Sequence, residues 1–293
     1  MIIPPAMLPI VGRPLSSIGC LRRQRSVRGM AAGGGRGCAC RFFGGRGVLP
    51  GKKTPRKPRT PQEQPTVNYL AHGWHFLDAP HVLAGTAAPD WLCVADRRLR
   101  LRPRNMLRWL ESADAMQAEL ARGVLRHHAD DAWFHQAEAF TTLQLRFAVL
   151  LRELLVDDEG FRPGFVGHVL VELMLDAALA EEQPSRLAAY YHALETLDPP
   201  AVAAALVPMA TRLDPVDGQE VAETASSRLA TLIARFLEER FLYDYANDAK
   251  LLARLNRVLA RVGLAALPED AAALFPSLRR QVWQQRRVLL PAA

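Results

Sequence analysis

Two stretches of the chain carry a polar, ligand-type side chain at every fourth position of an otherwise apolar pattern. These two trios are His127, Asp131, His135 and His168, Glu172, Asp176. Steps of four residues advance a side chain by only about 40° around an α-helix, so each trio lies along one helix face. Imidazoles and carboxylates on two helices are the ligands of a metal site built between helices. The spacing therefore predicts such a site.

The sequence around the second trio indicates that its helix is buried, because apolar residues from Val166 to Leu175 surround it on nearly every side. A buried Glu172 needs a neutralising partner, since an unpaired carboxylate is costly away from water. A cation is one such partner. A hydrogen bond between a histidine and a carboxylate four residues apart is the other, and the pattern leaves both open. His128 and Asp130 each stand one residue away from a member of the first trio, so they point to a different side of the helix and are interpreted as surface neighbours.

The helices that must position these residues follow from the apolar spacing, which is helical almost throughout from Val67 onward. We expect short helices over 68–78 and 81–88, the second ending before Pro89. A long helix begins near Ser112 and runs toward Leu155, with one possible break. Further helices are predicted from Pro163 to about 182 and over 184–196, 198–211, 219–245, 246–262 and 275–289. The prediction is an all-α fold: one multi-helix domain over 67–293 with a metal site between helices.

Residues 1–66 have a different composition, with Gly runs, several prolines, thirteen Arg or Lys and a single acid, Glu63. Such a segment cannot bury enough apolar surface to fold, so we predict a disordered basic tail, or translated sequence upstream of the true start. Without it the chain is mildly acidic, although the whole carries a net charge of +7. No specific binding of nucleic acid is therefore predicted.

Cysteines and hydropathy restrict the location of the protein. Three of the four cysteines lie in the tail and only Cys93 in the domain, so a disulfide framework is not expected. No apolar run reaches the roughly 20 residues that a membrane span requires, and the proline-broken start does not resemble a signal peptide. We expect a cytoplasmic protein. Its oligomeric state stays open.

Two residues ahead of the trios, His72 and Asp90, are further candidates. His72 ends the segment Asn-Tyr-Leu-Ala-His (68–72), and Asp90 follows Pro89 just past a predicted helix end. Taken alone, His72 could equally be a core histidine and Asp90 a turn residue.

These segments carry a resemblance to known enzymes. The segments are the 68–72 segment, Gly85 with the following Asp90, and Gly123 with the following His127 and Asp131. These three short pieces of the chain resemble the acyl carrier protein phosphodiesterase family, whose members are helical, metal-dependent phosphohydrolases of the HD type. The likeness lies in short pieces of about residues 68–180. It implies metal-ligand roles for His72, Asp90, His127 and Asp131. The pairing of a His-x-x-x-Asp helix with a His-x-x-x-Glu helix also resembles zinc-dependent phospholipase C.

The chain departs from the first family at two places. His168, Glu172 and Leu173 stand where the family favours an Asp-x-x-x-Asp-His run, and Trp74 stands near the place of a second histidine. Because His and Glu remain good ligands, the metal site can survive these changes, whereas the substrate cannot be carried over.

The hypothesis from the sequence is a metal-dependent phosphohydrolase that acts on a phosphodiester, with a substrate linked to a carrier protein or a lipid as possibilities. The predicted ligands of one to three Zn, Mn or Fe ions are His72, Asp90, His127, Asp131, His168 and Glu172. His135 and Asp176 are the candidates for a further ligand, an orienting partner or a proton shuttle. The alternative is a non-catalytic helical protein with a structural metal or a buried polar network that acts by binding a partner.

Overall fold

A computed structural model describes residues 68–155, 162–210 and 218–290, all of which belong to one compact unit, Thr60–Ala293. Within these ranges the chain forms α-helices and short 3-10 helices and no β-strand, which confirms the predicted all-α class. The predicted tail, 1–66, lies outside the described residues, as do Cys20, Cys38 and Cys40. The helices are α1 Tyr69–Gly73, α2 Pro80–Ala95, α3 Pro103–Met106, α4 Ala115–Gln136, α5 Glu138–Leu154, α6 Arg162–Glu182, α7 Pro184–Glu195, α8 Pro199–Leu206, α9 Gly218–Glu239, α10 Asp248–Arg261 and α11 Phe275–Leu289.

Helix α2 continues through Pro89, so the predicted end at residue 88 is wrong. Proline removes one helical hydrogen bond, because it has no N–H to donate to the carbonyl four residues earlier. Both flanks of Pro89 are buried, at Ala88 and Asp90, and the helix packs along α4. Packing of this face outweighs the local cost of the proline, and it places Asp90 inside a helix.

The long helix predicted to begin near Ser112 begins three residues later, at Ala115. Asp114 caps α4, its side chain accepting hydrogen bonds from the backbone N–H groups of Met116 and Gln117 at 2.9 and 3.4 Å. The single predicted break lies at Ala137, whose extended backbone separates α4 from α5. Helix α4 therefore carries all of the first trio.

Helices α2 and α4 cross at two glycines. A Cβ atom on Gly123 would lie 2.1 Å from the carbonyl oxygen of Val82, and one on Gly85 would lie 2.4 Å from that of Leu120. Because both obstacles are backbone atoms, no side-chain adjustment can make room for a larger residue. The crossing brings the turn after Gly123, which carries His127, directly against α2.

Helix α6 is the central helix and is buried along most of its length, as predicted. It packs against α5, α11, α1 and α7, and a Cβ on Gly167 would lie 2.7 Å from the carbonyl oxygen of Gln144 in α5. By length and composition α6 could cross a membrane, which the sequence interpretation did not anticipate. However, 94 % of its apolar stretch is buried inside the protein, as in a core helix.

The C-terminal third departs from prediction at one place. The helix predicted over 219–245 ends at Glu239, because Arg240 adopts a left-handed backbone conformation with φ 42°. A 3-10 helix, Phe241–Ala246, follows and packs on α6. Helices α10 and α11 lie close to their predicted ranges.

Candidate metal centre

In the folded chain, members of the two trios, together with His72, form two clusters of possible metal ligands. We call the first the His127 cluster (His72, His127 and Asp131) and the second the Glu172 cluster (His135, His168 and Glu172). In each cluster, one ligand atom from every member lies within 4.8 Å of the others. His135 lies on α4 with the first trio, but its side chain is grouped with His168 and Glu172 of α6.

Two helices supply the His127 cluster: α1 carries His72, and α4 carries the other two residues. The His72 Nε2 and Asp131 Oδ1 atoms lie 3.3 Å apart, and the His127 Nε2 and Asp131 Oδ2 atoms lie 3.5 Å apart. The two imidazole rings pack against each other at a centroid distance of 4.3 Å, with their planes tilted by 37°. Helix α2 contributes through its backbone at Thr86.

The second nitrogen of His127 is held by that backbone, since Nδ1 donates to the carbonyl oxygen of Thr86 at 2.8 Å. Burial, followed by the nearby charge of His72, lowers the pKa of His127 to about 3. The ring is therefore neutral at pH 7 and carries its proton on Nδ1. Its Nε2 lone pair faces Asp131, the arrangement typical of a metal-binding histidine.

His72 is held in the opposite protonation state. Burial opposes its charge, but the carboxylates of Asp130 and Asp131 outweigh that effect and raise the pKa of His72 to about 10. The same contacts, against the effect of burial, hold the pKa of Asp131 well below its usual range. A cation could replace this proton, because the site already stabilises one positive charge between the carboxylates.

Asp130 is not the surface residue that the sequence suggested. Its side chain is buried, lies 3.8 Å from Nδ1 of His72 and pairs with Arg126 at 2.7 Å. His128 is also turned inward, with Nε2 at 2.6 Å from the carbonyl oxygen of Leu101. The spacing Arg126-x-x-x-Asp130 was the available signal of an ion pair on a second face of α4.

Two buried atoms of the His127 cluster support a fit to a cation. Nε2 of His72 and Oδ1 of Asp131 make no hydrogen bond of acceptable angle, although they lie 3.3 Å apart. Buried polar atoms normally have such a partner. One imidazole nitrogen from each histidine and a carboxylate, converging on one point, form a ligand set that suits Zn and other divalent transition metals.

The Glu172 cluster joins α4 to α6 around a carboxylate that is fully buried. Nε2 of His135 hydrogen bonds to Oε1 of Glu172 at 3.1 Å, and Nε2 of His168 lies at the same distance from the same oxygen. Burial lowers the pKa of His135, but the Glu172 carboxylate outweighs this effect and raises it. Both rings pack on Phe140 at 4.9 Å.

Nε2 of His168 makes no hydrogen bond of acceptable angle, despite its short distance to Glu172. The cluster therefore offers two imidazole nitrogens and a carboxylate, as the His127 cluster does. The two clusters are one helical turn apart on α4, at Asp131 and His135. The charge of His135 contributes to the lowered pKa of Asp131.

The remaining two predicted residues stand beside the clusters rather than in them. Asp90 is buried and its charge contributes to the raised pKa of His72. Asp176 is buried and accepts hydrogen bonds from the backbone N–H groups of Leu70 and Ala71, at 2.9 and 2.8 Å. It thus ties α6 to the short helix that carries His72, which makes it a positioning residue.

Comparison of the chain with protein-family models, with curated proteins and with solved structures gives no match. The resemblances drawn from short sequence segments therefore rest on those segments alone. The two clusters are the basis for any statement about function.

Proposed function

We propose that the chain binds divalent transition-metal ions at the His127 and Glu172 clusters and acts as a metal-dependent phosphohydrolase on a phosphodiester. The observation that carries the proposal is the convergence of two His–His–carboxylate sets, one helical turn apart along α4. Each cluster offers three protein ligands, one fewer than the four that close a structural zinc site, which leaves a coordination position for water or substrate as in catalytic sites. Zn, Mn and Fe accept this mixture of nitrogen and oxygen ligands.

The residues around the clusters would have different roles in the site. Thr86 orients His127 through its carbonyl, Asp176 positions α1, and Asp90 adds negative charge beside His72. When bound, metal ions of this kind supply a nucleophilic hydroxide at neutral pH and polarise phosphate oxygens. His135, whose side chain is 30 % exposed, is the ring placed to exchange a proton with solvent.

The first experiment measures metal binding. The full chain, stripped with a chelator, is titrated with Zn, Mn or Fe and followed by metal analysis and thermal melting. His127→Ala and His168→Ala should each lower metal affinity by more than the roughly 10–100-fold that loss of an outer-shell partner costs. The matched control is His192→Ala, an exposed histidine on α7 outside both clusters, which should bind as the natural chain does.

Asp131→Asn is the second variant, because Asp131 is partly exposed and its replacement should leave the fold intact. The metal proposal fails if no metal is retained and none raises the melting temperature. The phosphohydrolase proposal fails separately, if the metal-loaded chain cleaves neither bis(p-nitrophenyl) phosphate nor p-nitrophenyl phosphate. Faster cleavage of the diester is expected.

A non-catalytic protein with a buried polar network is the second candidate, and the Glu172 cluster favours it. Its hydrogen bond from His135 to Glu172 stabilises the carboxylate without a cation. In that case His135→Ala would lower the melting temperature, and no metal would change the melting temperature of the natural chain.

A further inference from the structure

A second site-like feature is a cavity of about 180 Å³ between α2, α9, α10 and the 3-10 helix Phe241–Ala246. No member of either metal cluster lines it. Its inner wall is aromatic and largely buried. The aromatic residues are Tyr69, Trp91, Phe236, Phe241 and Tyr245.

Four guanidinium groups and a single acid, Glu239, surround this aromatic wall. The four are Arg235, Arg254, Arg257 and Arg261. Arg235 pairs with Glu239 at 2.8 Å, and Arg254 pairs with Glu239 at 3.2 Å and with Asp244 at 2.6 Å. These ion pairs neutralise the first two arginines.

Arg257 and Arg261 have no side-chain ion pair or hydrogen bond with any of the described residues. They stand four residues apart on α10, the spacing at which like charges repel each other. Their place near the C-terminus of the helix explains why cations are tolerated there. It does not explain why both line an aromatic cavity, where a bound anion would relieve the repulsion.

Trp91 forms part of this wall, and its side chain is buried. The cavity thus combines an aromatic wall with two exposed arginines, Arg257 and Arg261, that have no ion-pair partner among the described residues.

We propose that this cavity binds a small organic anion, composed of one ring-sized apolar group and a carboxylate or phosphate-type head. The size follows from the volume, because a cavity of roughly 150 Å³ holds a benzene molecule. The apolar group would contact the aromatic wall, and the head group would lie between Arg257 and Arg261. Two oxygens of a carboxylate, or two oxygens of a tetrahedral phosphate-type group, can each accept one of the paired N–H groups of a guanidinium.

Isothermal titration calorimetry with the full chain tests the proposal, using benzoate and phenylphosphonate as probes. Benzyl alcohol supplies the ring without the charge, and acetate and inorganic phosphate supply the charge without the ring. We expect each ring-bearing anion to bind at least tenfold more tightly than its ringless counterpart and than the alcohol. Equal binding of acetate and benzoate, or no binding at all, would overturn the proposal.

Substitutions locate the binding. The double variant Arg257→Ala/Arg261→Ala should weaken benzoate binding at least tenfold, as should Val94→Trp, which fills the cavity from a partly exposed position. The matched control is Arg280→Ala/Arg287→Ala on α11, which removes the same charge from exposed positions outside the cavity. If the control weakens binding as much as the α10 pair does, the anion is attracted by net charge and the cavity is not its site.

All these titrations are made in the presence of a metal chelator. Binding that persists there is independent of the metal clusters, so this proposal and the proposed function can fail separately. A probe that binds only after metal is added would be a ligand of the clusters and would count against the cavity.

Discussion

The two metal clusters contain the same three residue types but distribute burial in opposite ways. In the His127 cluster the histidine side chains are 3 % exposed and Asp131 is 20 % exposed. In the Glu172 cluster the carboxylate is fully buried, and the His135 and His168 side chains are 30 % and 12 % exposed. The first cluster thus opens to solvent through its acid and the second through its imidazoles.

This difference indicates that two clusters with the same residue types can have different roles, one as a buried polar network and the other as a cation site. A buried carboxylate must be satisfied even without a metal, and Glu172 has a hydrogen bond from His135. Both clusters contain buried atoms without a hydrogen bond, in His72 and Asp131 and in His168, but only in the His127 cluster do two carboxylates surround one imidazolium. We therefore expect the His127 cluster to bind a cation more tightly than the Glu172 cluster.

The largest expected effect comes from the glycines that allow the helices beside each cluster to meet. Gly123→Ala places a Cβ 2.1 Å from a backbone oxygen, so we expect a loss of about 3 kcal/mol or more in the free energy of unfolding. Gly167→Ala meets its nearest obstacle at 2.7 Å, and a loss of about 1–2 kcal/mol is expected. Urea denaturation measures both.

Gly164→Ala is the control for these two variants, because nothing lies within 4 Å of its added Cβ. It should keep or slightly increase stability, since alanine favours helix by up to about 1 kcal/mol. Zinc binding should weaken in Gly123→Ala more than in Gly167→Ala. Equal losses of stability in all three variants would mean that the crossings do not control the clusters.

An intermediate effect is the release of a proton on metal binding. His72 is protonated at neutral pH, with a pKa of about 10, whereas His127, with a pKa of about 3, is neutral. A metal in the His127 cluster should therefore displace close to one proton at pH 7.5, and affinity should rise about tenfold per pH unit. Calorimetry in two buffers of different ionisation enthalpy counts the protons.

Without metal, the stability of the fold should depend on pH in the opposite direction to metal affinity, and it should fall as the pH rises. The folded pKa of His72 lies above its ordinary value of 6.5, so its contribution to stability is complete below that pH and is lost as the pH rises toward about 10. His72→Gln should remove this dependence and reduce the proton count to near zero. A count near two would instead assign a proton to His127.

The smallest effect concerns Asp176, which links the helix of one cluster to the helix of the other. Burial, against two backbone hydrogen bonds, raises its pKa from 3.8 to about 7. Its contribution to stability is therefore complete below pH 3.8 and is lost as the pH rises through about 7. Asp176→Asn should remove that dependence and cost about 1 kcal/mol at pH 4, where one backbone hydrogen bond is lost.

Chemical or thermal denaturation across pH 4–8 checks this prediction, with Asp198→Asn as the control. Asp198 is the N-cap residue that precedes α8, and its exposed side chain accepts one hydrogen bond, from the backbone N–H of Ala201. The two pH profiles should differ. Parallel profiles would show that the burial of Asp176 does not control its titration.

The sequence predicted individual residues better than it predicted their groupings. The spacing of the first trio indicated that His127, Asp131 and His135 share a face, which helical periodicity alone requires. It could not indicate that His135 would contact Glu172 rather than the first cluster, because that contact depends on how α4 and α6 pack. For the same reason Asp130, one residue away from a member of that trio, was interpreted as exposed although it lies beside His72.

The sequence by itself determined the all-α class, most helix positions and the residue types available for chemistry, because these follow from local periodicity and composition. Tertiary structure alone decided the continuation of α2 through Pro89, the joining of His72 to α4 and the opposite protonation states of His72 and His127. These outcomes depend on burial and on charges distant in the chain. The close contact of Gly85 and Gly123 contributes to the state of His127, since it brings the backbone of α2 within hydrogen-bonding distance of that ring.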